Sequence, residues 1–169
     1  ALGQAIAEAE AETGRRCLYF PNILAPLELL EACFEAVVNA GIRGVLVCPQ
    51  ILGFDVVRAY SQKYPLAFMA HPAFAGSYYA DRIQGIAPDL YTGTLMRLIG
   101  CDISVFPNFG GRFGLYEQEC IDINTRLREP LGTLKSALPA PAGGMTFERL
   151  PSLGKTYGED AVFLIGGGG

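Results

Sequence analysis

Two stretches that run from apolar residues into glycines decide the fold, SALPAPAGG (136–144) and AVFLIGGGG (161–169). Their apolar parts are continuous rather than alternating, which is typical of strands buried on both faces of a parallel sheet. Four earlier runs have the same character, so the chain contains six candidate strands. The four are CLYFPNIL (17–24), GVLVCPQ (44–50), LAFMAHP (66–72) and ISVFPN (103–108).

Helical patterns separate the candidate strands, because apolar residues recur there at spacings of three and four. Parallel strands need crossover connections of this kind. The chain is therefore a βα repeat around a parallel sheet. The predicted helices cover 1–14, 26–40, 54–64, 89–100, 116–129 and 147–157.

Two architectures fit a βα repeat, a doubly wound open sheet and a (β/α)8 barrel. The doubly wound dinucleotide-binding fold carries glycines after its first strand, whereas PNILAP (21–26) contains none. The glycines instead follow the last two strands, which favours the barrel. A whole barrel takes about 250 residues. We therefore predict an α/β partial TIM (β/α)8 barrel with about six of eight βα units, the third to eighth strands. Residues 1–169 would form one barrel domain, truncated at its amino-terminal side.

Composition excludes several classes of protein. Half the residues are hydrophobic and 18% are charged, which is enough apolar surface for a packed core. A net charge of −4 with scattered basic residues argues against nucleic acid as a partner. No apolar run reaches the roughly 18 residues of a membrane span, and the first residues do not resemble a signal peptide. The five scattered cysteines indicate free thiols in a reducing cytoplasm.

The glycines after the last two candidate strands predict a phosphate site. Barrel enzymes commonly bind phosphate with the loops after these strands, and glycine lets backbone N–H groups approach an anion closely. The predicted phosphate-binding residues are Gly143, Gly144, Gly166 and Gly167. The alternative is that these glycines only form tight turns.

Polar residues at other strand ends should meet at the same face of the barrel. Asn22, Gln50, His71 and Asn108 each follow or end an apolar run. His71 could serve as a base or bind a substrate hydroxyl, and Asn108 could bind a polar substrate. Arg112 follows two glycines and could close over an anion. Ordinary core or surface roles remain the alternative for each.

Residue types that other chemistries need are missing from the strand ends. The candidate carboxylates, Asp55, Asp81 and Asp102, suit helix caps or surface positions, so no metal site can be assembled from this chain. No lysine stands at a strand end, which argues against a phosphosugar aldolase that forms a Schiff base.

Four segments resemble the RuBisCO large-chain superfamily in order and spacing, most closely its form IV, RuBisCO-like branch. They are MAHPAFAG (69–76), LMRLIGCDISVFPNFGGRF (95–113), REPLGTLKSALPAPAGGMTFERLP (128–151) and YGEDAVFLIGGG (157–168). The resemblance implies a two-domain subunit, a homodimer with shared active sites, and Mg²⁺ held by a carbamylated lysine, an aspartate and a glutamate. Those ligands would precede this chain. By position, His71 matches a histidine that contacts substrate hydroxyls and Arg112 matches the mobile-loop lysine. Gly144, Gly166 and Gly167 match phosphate binders.

Three departures from the resemblance change the expected reaction. Pro72 replaces an arginine that grips a second phosphate, Ala142 replaces a serine, and a histidine is missing within ISVFPN (103–108). CO₂ fixation is therefore not expected. The intact protein should catalyse Mg²⁺-dependent enolisation of a phosphorylated sugar or sugar acid, as an isomerase, enolase or decarboxylase. This chain alone should be inactive, and the alternative is a truncated barrel remnant without catalysis.

Overall fold

Five parallel strands form the sheet of the computed structural model, which describes residues 2–81, 83–111 and 114–166. Each predicted run from the first to the fifth contains one strand, so the parallel α/β class is confirmed. The strands are β1 (Asn22–Ile23), β2 (Gly44–Val47), β3 (Ala67–Ala70), β4 (Ile103–Pro107) and β5 (Leu138–Ala142).

Helices occupy every connection between strands. The helical segments are α1 (Leu2–Thr13), α2 (Leu27–Asn39), α3 (Pro49–Leu52), α4 (Phe54–Lys63), α5 (Gly76–Tyr79), a π-helix (Asp89–Thr94), α6 (Leu95–Leu98), α7 (Glu117–Arg128), a 3₁₀ turn (Phe147–Arg149) and α8 (Leu150–Tyr157). The predicted helix over 89–100 is therefore half π-helix. The four-residue helices α3 and α5 were not predicted, because one turn is too short to show a period.

The order of the strands separates the two candidate architectures. Each strand pairs in parallel with the next one in the sequence, in the order β1-β2-β3-β4-β5. A doubly wound sheet reverses direction part-way across, whereas the strands of a barrel follow one another in sequence. The described strands therefore have the order of a barrel segment. We call the side on which the strands end the carboxyl edge.

The sixth predicted strand is only a parallel bridge between Leu164 and Ala142. Val162 N–H donates to Pro139 O at 2.9 Å, and Leu164 N–H reaches Pro141 O at 3.5 Å. These two prolines stand on the side of β5 that faces the last run and have no N–H to donate. Only half of the ladder can form there, which explains why a regular strand is absent among residues 161–166.

Apolar side chains cover both faces of the sheet, as the continuous apolar runs predict. Val45, Val47 and Phe68 face α2 and pack against Leu30 and Phe34. The opposite face carries a separate cluster of Met69, Ile103, Val105 and Ala140, with Leu164 packed against it. Burial on both faces fits a sheet with helices outside and an apolar interior inside.

Candidate functional site

The loops that follow β4 and β5 contact each other through glycines. A Cβ atom on Gly111 would lie 2.7 Å from Gly143 O, and one on Gly144 would lie 3.2 Å from Gly111 Cα. Gly143 (φ 84°) and Gly144 (φ 65°) also adopt conformations that L side chains rarely reach. Glycine is therefore needed both for the turn and for the close approach of the two backbones.

Unpaired backbone donors make these loops a candidate anion site. Within residues 2–81, 83–111 and 114–166, the N–H groups of Gly110, Gly111 and Gly144 find no acceptor, whereas the N–H of Gly143 faces Leu164 in the bridge between Leu164 and Ala142. Gly110 and Gly144 are exposed to solvent. Clustered backbone N–H groups with no internal partner bind anions well. We call residues 110–111 and 143–144 the glycine loops.

Gly166 lies at the same edge of the sheet. Gly166 is two residues beyond Leu164, which bridges to Ala142 just before the turn of Gly143 and Gly144, and Gly166 is exposed. Gly167, the fourth predicted phosphate binder, lies outside the described residues. The structure thus brings three of the four predicted glycines to the carboxyl edge of neighbouring chain segments.

Arg149 joins the two glycine loops, and sequence analysis missed it. Its Nη1 donates to Gly144 O at 2.9 Å and its Nη2 donates to Phe109 O at 3.2 Å. The only signal in the sequence is its place five residues after Gly144, in the segment that follows the turn. A guanidinium beside unpaired N–H groups increases the positive potential that an anion would meet.

His71 follows β3 directly and is exposed at the carboxyl edge. Its Nδ1 accepts a hydrogen bond from Ala73 N–H at 3.1 Å. A neutral imidazole in this arrangement carries its proton on Nε2. Partial desolvation of the ring lowers the pKa of His71, which favours the neutral form. The geometry therefore suits His71 to donating a hydrogen bond from Nε2 and not to removing a proton there.

Asn108 follows β4 but is buried, with 1% of its surface exposed. Its Oδ1 accepts a 2.6 Å hydrogen bond from the hydroxyl of Tyr157, which lies at the end of α8. Its Nδ2 is buried without a partner among the described residues. Asn108 thus ties α8 to β4 in this structure.

The remaining predicted site residues are spread more widely. Asn22 lies inside β1 beside Leu46, is exposed and does not follow the strand. Gln50 lies in α3 with a buried Oε1 that has no hydrogen-bond partner among the described residues. Arg112 lies outside the described residues. Four residues were predicted to converge at the ends of the first four strands. Of these four, His71 is the one that directly follows its strand and is also exposed.

The described residues do not fit a Mg²⁺ site. No group of three or more His, Cys, Asp or Glu side chains in the described part of the chain could hold a metal ion. Asp102 accepts Phe68 N–H, and Asp81 accepts Ile83 and Gln84 N–H. These carboxylates support the backbone in separate segments of the chain and do not form a cluster.

A surface groove and the character of the helices bear on the kinds of partner that the chain can have. An apolar groove of about 480 Å³ lies between the segment after β1 and α3, lined by Leu24, Leu27, Ile51 and others. It includes Leu30 and Val56 of the helix layer and is separate from the glycine loops. Among the described helices, none has the length and apolar character that crossing a membrane requires.

Curated proteins similar to this chain include two named enzymes. The chain is 37% identical to 5-methylthioribulose-1-phosphate isomerase of Rhodospirillum rubrum, over 99% of this chain and 43% of that protein. It is 30% identical to 2,3-diketo-5-methylthiopentyl-1-phosphate enolase of Bacillus cereus, over 98% of this chain and 41% of that protein. The chain thus spans about two-fifths of these relatives. No protein-family model matches it.

A solved structure supports the same relationship. The RuBisCO-like protein from Rhodopseudomonas palustris superposes with a TM-score of 0.89 at 38% identity. The match covers 97% of this chain and 45% of that one. Sequence relatives and structural neighbours therefore agree with the resemblance that the four segments carry. Over the residues it contains, the chain belongs to the RuBisCO-like proteins of the RuBisCO large-chain superfamily.

Proposed function

We propose that the whole protein enolises a phosphorylated ketose, binding its phosphate on the glycine loops and on Gly166 and Gly167. The observation that carries this proposal is the set of unpaired N–H groups on two touching glycine loops at the carboxyl edge. Relatives named as an isomerase and an enolase act on 1-phosphates that carry a methylthio group. We therefore propose a methylthio-substituted five-carbon ketose 1-phosphate as substrate.

The proposed chemistry is proton transfer next to a carbonyl. A base removes a proton from the neighbouring carbon, the C–H electron pair becomes a C=C bond, and a carbonyl electron pair moves onto oxygen. The hydroxyl on the neighbouring carbon then loses its proton and the original carbonyl carbon gains one, which moves the carbonyl by one carbon and gives the isomer. His71 donates Nε2–H to the oxygen on which negative charge develops, as in an oxyanion site.

The base and the metal of this proposal come from outside the described residues. The three lysines of the chain, Lys63, Lys135 and Lys155, lie in helices or before β5, so none follows a strand at the carboxyl edge. Arg112 would close over the phosphate from the loop after β4. We accordingly propose that this 169-residue chain alone lacks the activity, and that the intact protein is a cytoplasmic homodimer which uses Mg²⁺.

Deuterium exchange tests the proposed function on the full-length protein. In D₂O, the protein should incorporate deuterium beside the carbonyl of 5-methylthioribulose 1-phosphate, as followed by proton NMR. The same ketose without phosphate should exchange at least about tenfold more slowly, because it lacks the anion that the loops bind. Equal exchange with both compounds, or none with either, would contradict the proposal.

A separate measurement addresses the chain alone. Titration calorimetry with Mg²⁺ should show no tight, stoichiometric binding, because the described residues offer no carboxylate cluster. Stoichiometric binding in the micromolar range would place a metal site within these 169 residues and would overturn that part of the proposal.

A further inference from the structure

The guanidinium of Arg149 bridges two loops that are far apart in sequence. Phe109 O belongs to the loop after β4, and Gly144 O belongs to the turn after β5. The guanidinium lies against both glycine loops, because a Cβ on Gly110 would be in van der Waals contact with Nη2 at 3.6 Å and one on Gly144 with Nη1 at 3.8 Å. One planar group thus sets the distance between the glycine loops.

Both acceptors of Arg149 are neutral carbonyl oxygens. Among the described residues, no carboxylate lies within ion-pair distance of this guanidinium. The positive charge therefore stays uncompensated beside the exposed Gly110 and Gly144. A cation beside exposed backbone N–H groups raises the positive potential that an anion would meet there.

The bridge also sets the direction of neighbouring N–H groups. In a trans peptide the C=O of one residue and the N–H of the next point in opposite directions. Because Arg149 holds Phe109 O and Gly144 O, the N–H groups of Gly110 and Met145 point away from the guanidinium. In the described part of the chain neither N–H has an acceptor.

We propose that Arg149 is a positioning residue that fixes the two glycine loops at the spacing and orientation a phosphate group requires. This inference rests on the proposed function and extends it to a residue outside the glycine loops. Arg149 acts through the loops that it joins. A lysine would keep the charge but would not hold both carbonyls in one planar fork.

The test compares Arg149→Met and Arg149→Lys with a matched control in the full-length protein. Arg128 provides the control, because its guanidinium also donates to two backbone carbonyls, Tyr157 O and Asp160 O. Those carbonyls lie at the end of α8 and beyond it, away from the glycine loops. Arg128→Met therefore removes the same kind of bridge without touching the proposed site.

Four quantities are measured for each variant: KM and kcat for 5-methylthioribulose 1-phosphate, Ki for inorganic phosphate, and the rate with the unphosphorylated ketose. Arg149→Met should raise KM and Ki about tenfold or more, because charge-assisted bonds that order the loops are lost. The rate with the unphosphorylated ketose should change less than about threefold. Arg149→Lys should recover less than half of the loss, and Arg128→Met should leave KM and Ki near wild type.

The outcomes separate this inference from the proposed function. If wild type prefers the phosphorylated ketose but Arg149→Met shifts Ki no more than Arg128→Met does, Arg149 is not the positioning residue. Full phosphate affinity in Arg149→Lys would also overturn the inference, and this variant keeps the test valid if Arg149→Met fails to fold. A wild type that shows no phosphate preference would contradict the proposed function itself.

Discussion

Two arginines hold opposite edges of the sheet, and they differ in how completely their donors are used. Arg97 lies at the end of α6, is 3% exposed, and donates four hydrogen bonds to backbone carbonyls at the edge where β4 and β5 begin. The acceptors belong to Arg126, Glu129, Leu134 and Lys135. Arg149, at the carboxyl edge, is half-buried and donates two.

The difference indicates what each edge does. A guanidinium has five N–H donors, so Arg97 is nearly satisfied by the protein and can serve only the fold. Arg149 keeps charge and donors beside exposed backbone N–H groups. In barrels, the edge where strands begin contributes to stability and the edge where they end carries activity. Under the proposed function, the two arginines follow that division.

The largest effect is expected from Arg97→Met. Removing the guanidinium leaves four carbonyls without their donor in a buried region, and the free energy of unfolding should fall by about 3 to 5 kcal/mol. Denaturant unfolding of the full-length protein measures it. The control is Arg58→Met, because exposed Arg58 donates one bond to Leu98 O and its loss should cost about 1 kcal/mol or less. If Arg97→Met and Arg58→Met lose similar amounts of unfolding free energy, the special structural role of Arg97 is contradicted.

His71→Gln should lower kcat about 100-fold while KM changes little, because the donor to the developing oxyanion is lost or misplaced. The pH profile sharpens this expectation. Desolvation lowers the pKa of His71, so the neutral form should persist below the usual value of about 6.5. Once His71 is protonated, its Nδ1 no longer accepts the hydrogen bond from Ala73 N–H. Because the pKa of His71 is lower in the folded than in the unfolded chain, the unfolded chain binds the proton more readily. The free energy of unfolding therefore falls as the pH falls. A fall in kcat that begins above about pH 6.5 on acidification, or one that is the same in His71→Gln, would contradict this role.

Gly144→Ala should raise KM for the phosphorylated ketose about tenfold. The new Cβ would lie 3.2 Å from Gly111 Cα, and φ at this residue is 65°, so the glycine loops must separate. Gly132→Ala is the matched control, since φ is 54° there and nothing lies within 4 Å of an added Cβ. Both should lose about 1 kcal/mol of stability from backbone strain. If Gly144→Ala and Gly132→Ala have the same KM, the contact between the glycine loops does not contribute to phosphate binding.

Tyr157→Phe should have the smallest effect, a loss of about 1 to 2 kcal/mol in the free energy of unfolding. The substitution removes the donor to Asn108 Oδ1 in a region where Tyr157 is fully buried. Tyr64→Phe is the control, because its buried hydroxyl has no partner among the described residues. We expect kcat to stay within about threefold. A 100-fold fall in kcat would instead favour the catalytic role that the sequence suggests for Asn108.

The fold was largely predictable from the sequence because each strand that is buried on both faces is itself a continuous apolar run. Continuous apolar runs identified β1 to β5 and their parallel direction, and the position of the glycines favoured the barrel order. The sixth apolar run predicts a strand where the structure has only a bridge, since Pro139 and Pro141 lack the N–H donors that a sixth strand would pair with. That effect depends on which side of β5 the prolines face, which the apolar pattern of the last run does not show.

The site was less predictable because its contacts join distant residues. Glycines at strand ends indicated the loops, but the contact of Gly111 with Gly143 requires the strands to be in register. Arg149 is 40 residues from Phe109 and looks like an ordinary helical arginine in the sequence. The position of Asn108 after an apolar run predicts a substrate contact, whereas its hydrogen bond with Tyr157, 49 residues away, is seen only in the folded chain.

A crystal structure of the full-length protein with 5-methylthioribulose 1-phosphate tests the central claim most directly. We expect phosphate oxygens about 2.7 to 3.2 Å from the backbone nitrogens of Gly144 and Gly166, with Arg149 still bridging Phe109 and Gly144. A phosphate bound away from the glycine loops, with the N–H groups of Gly110 and Gly144 still unpaired, would contradict the account.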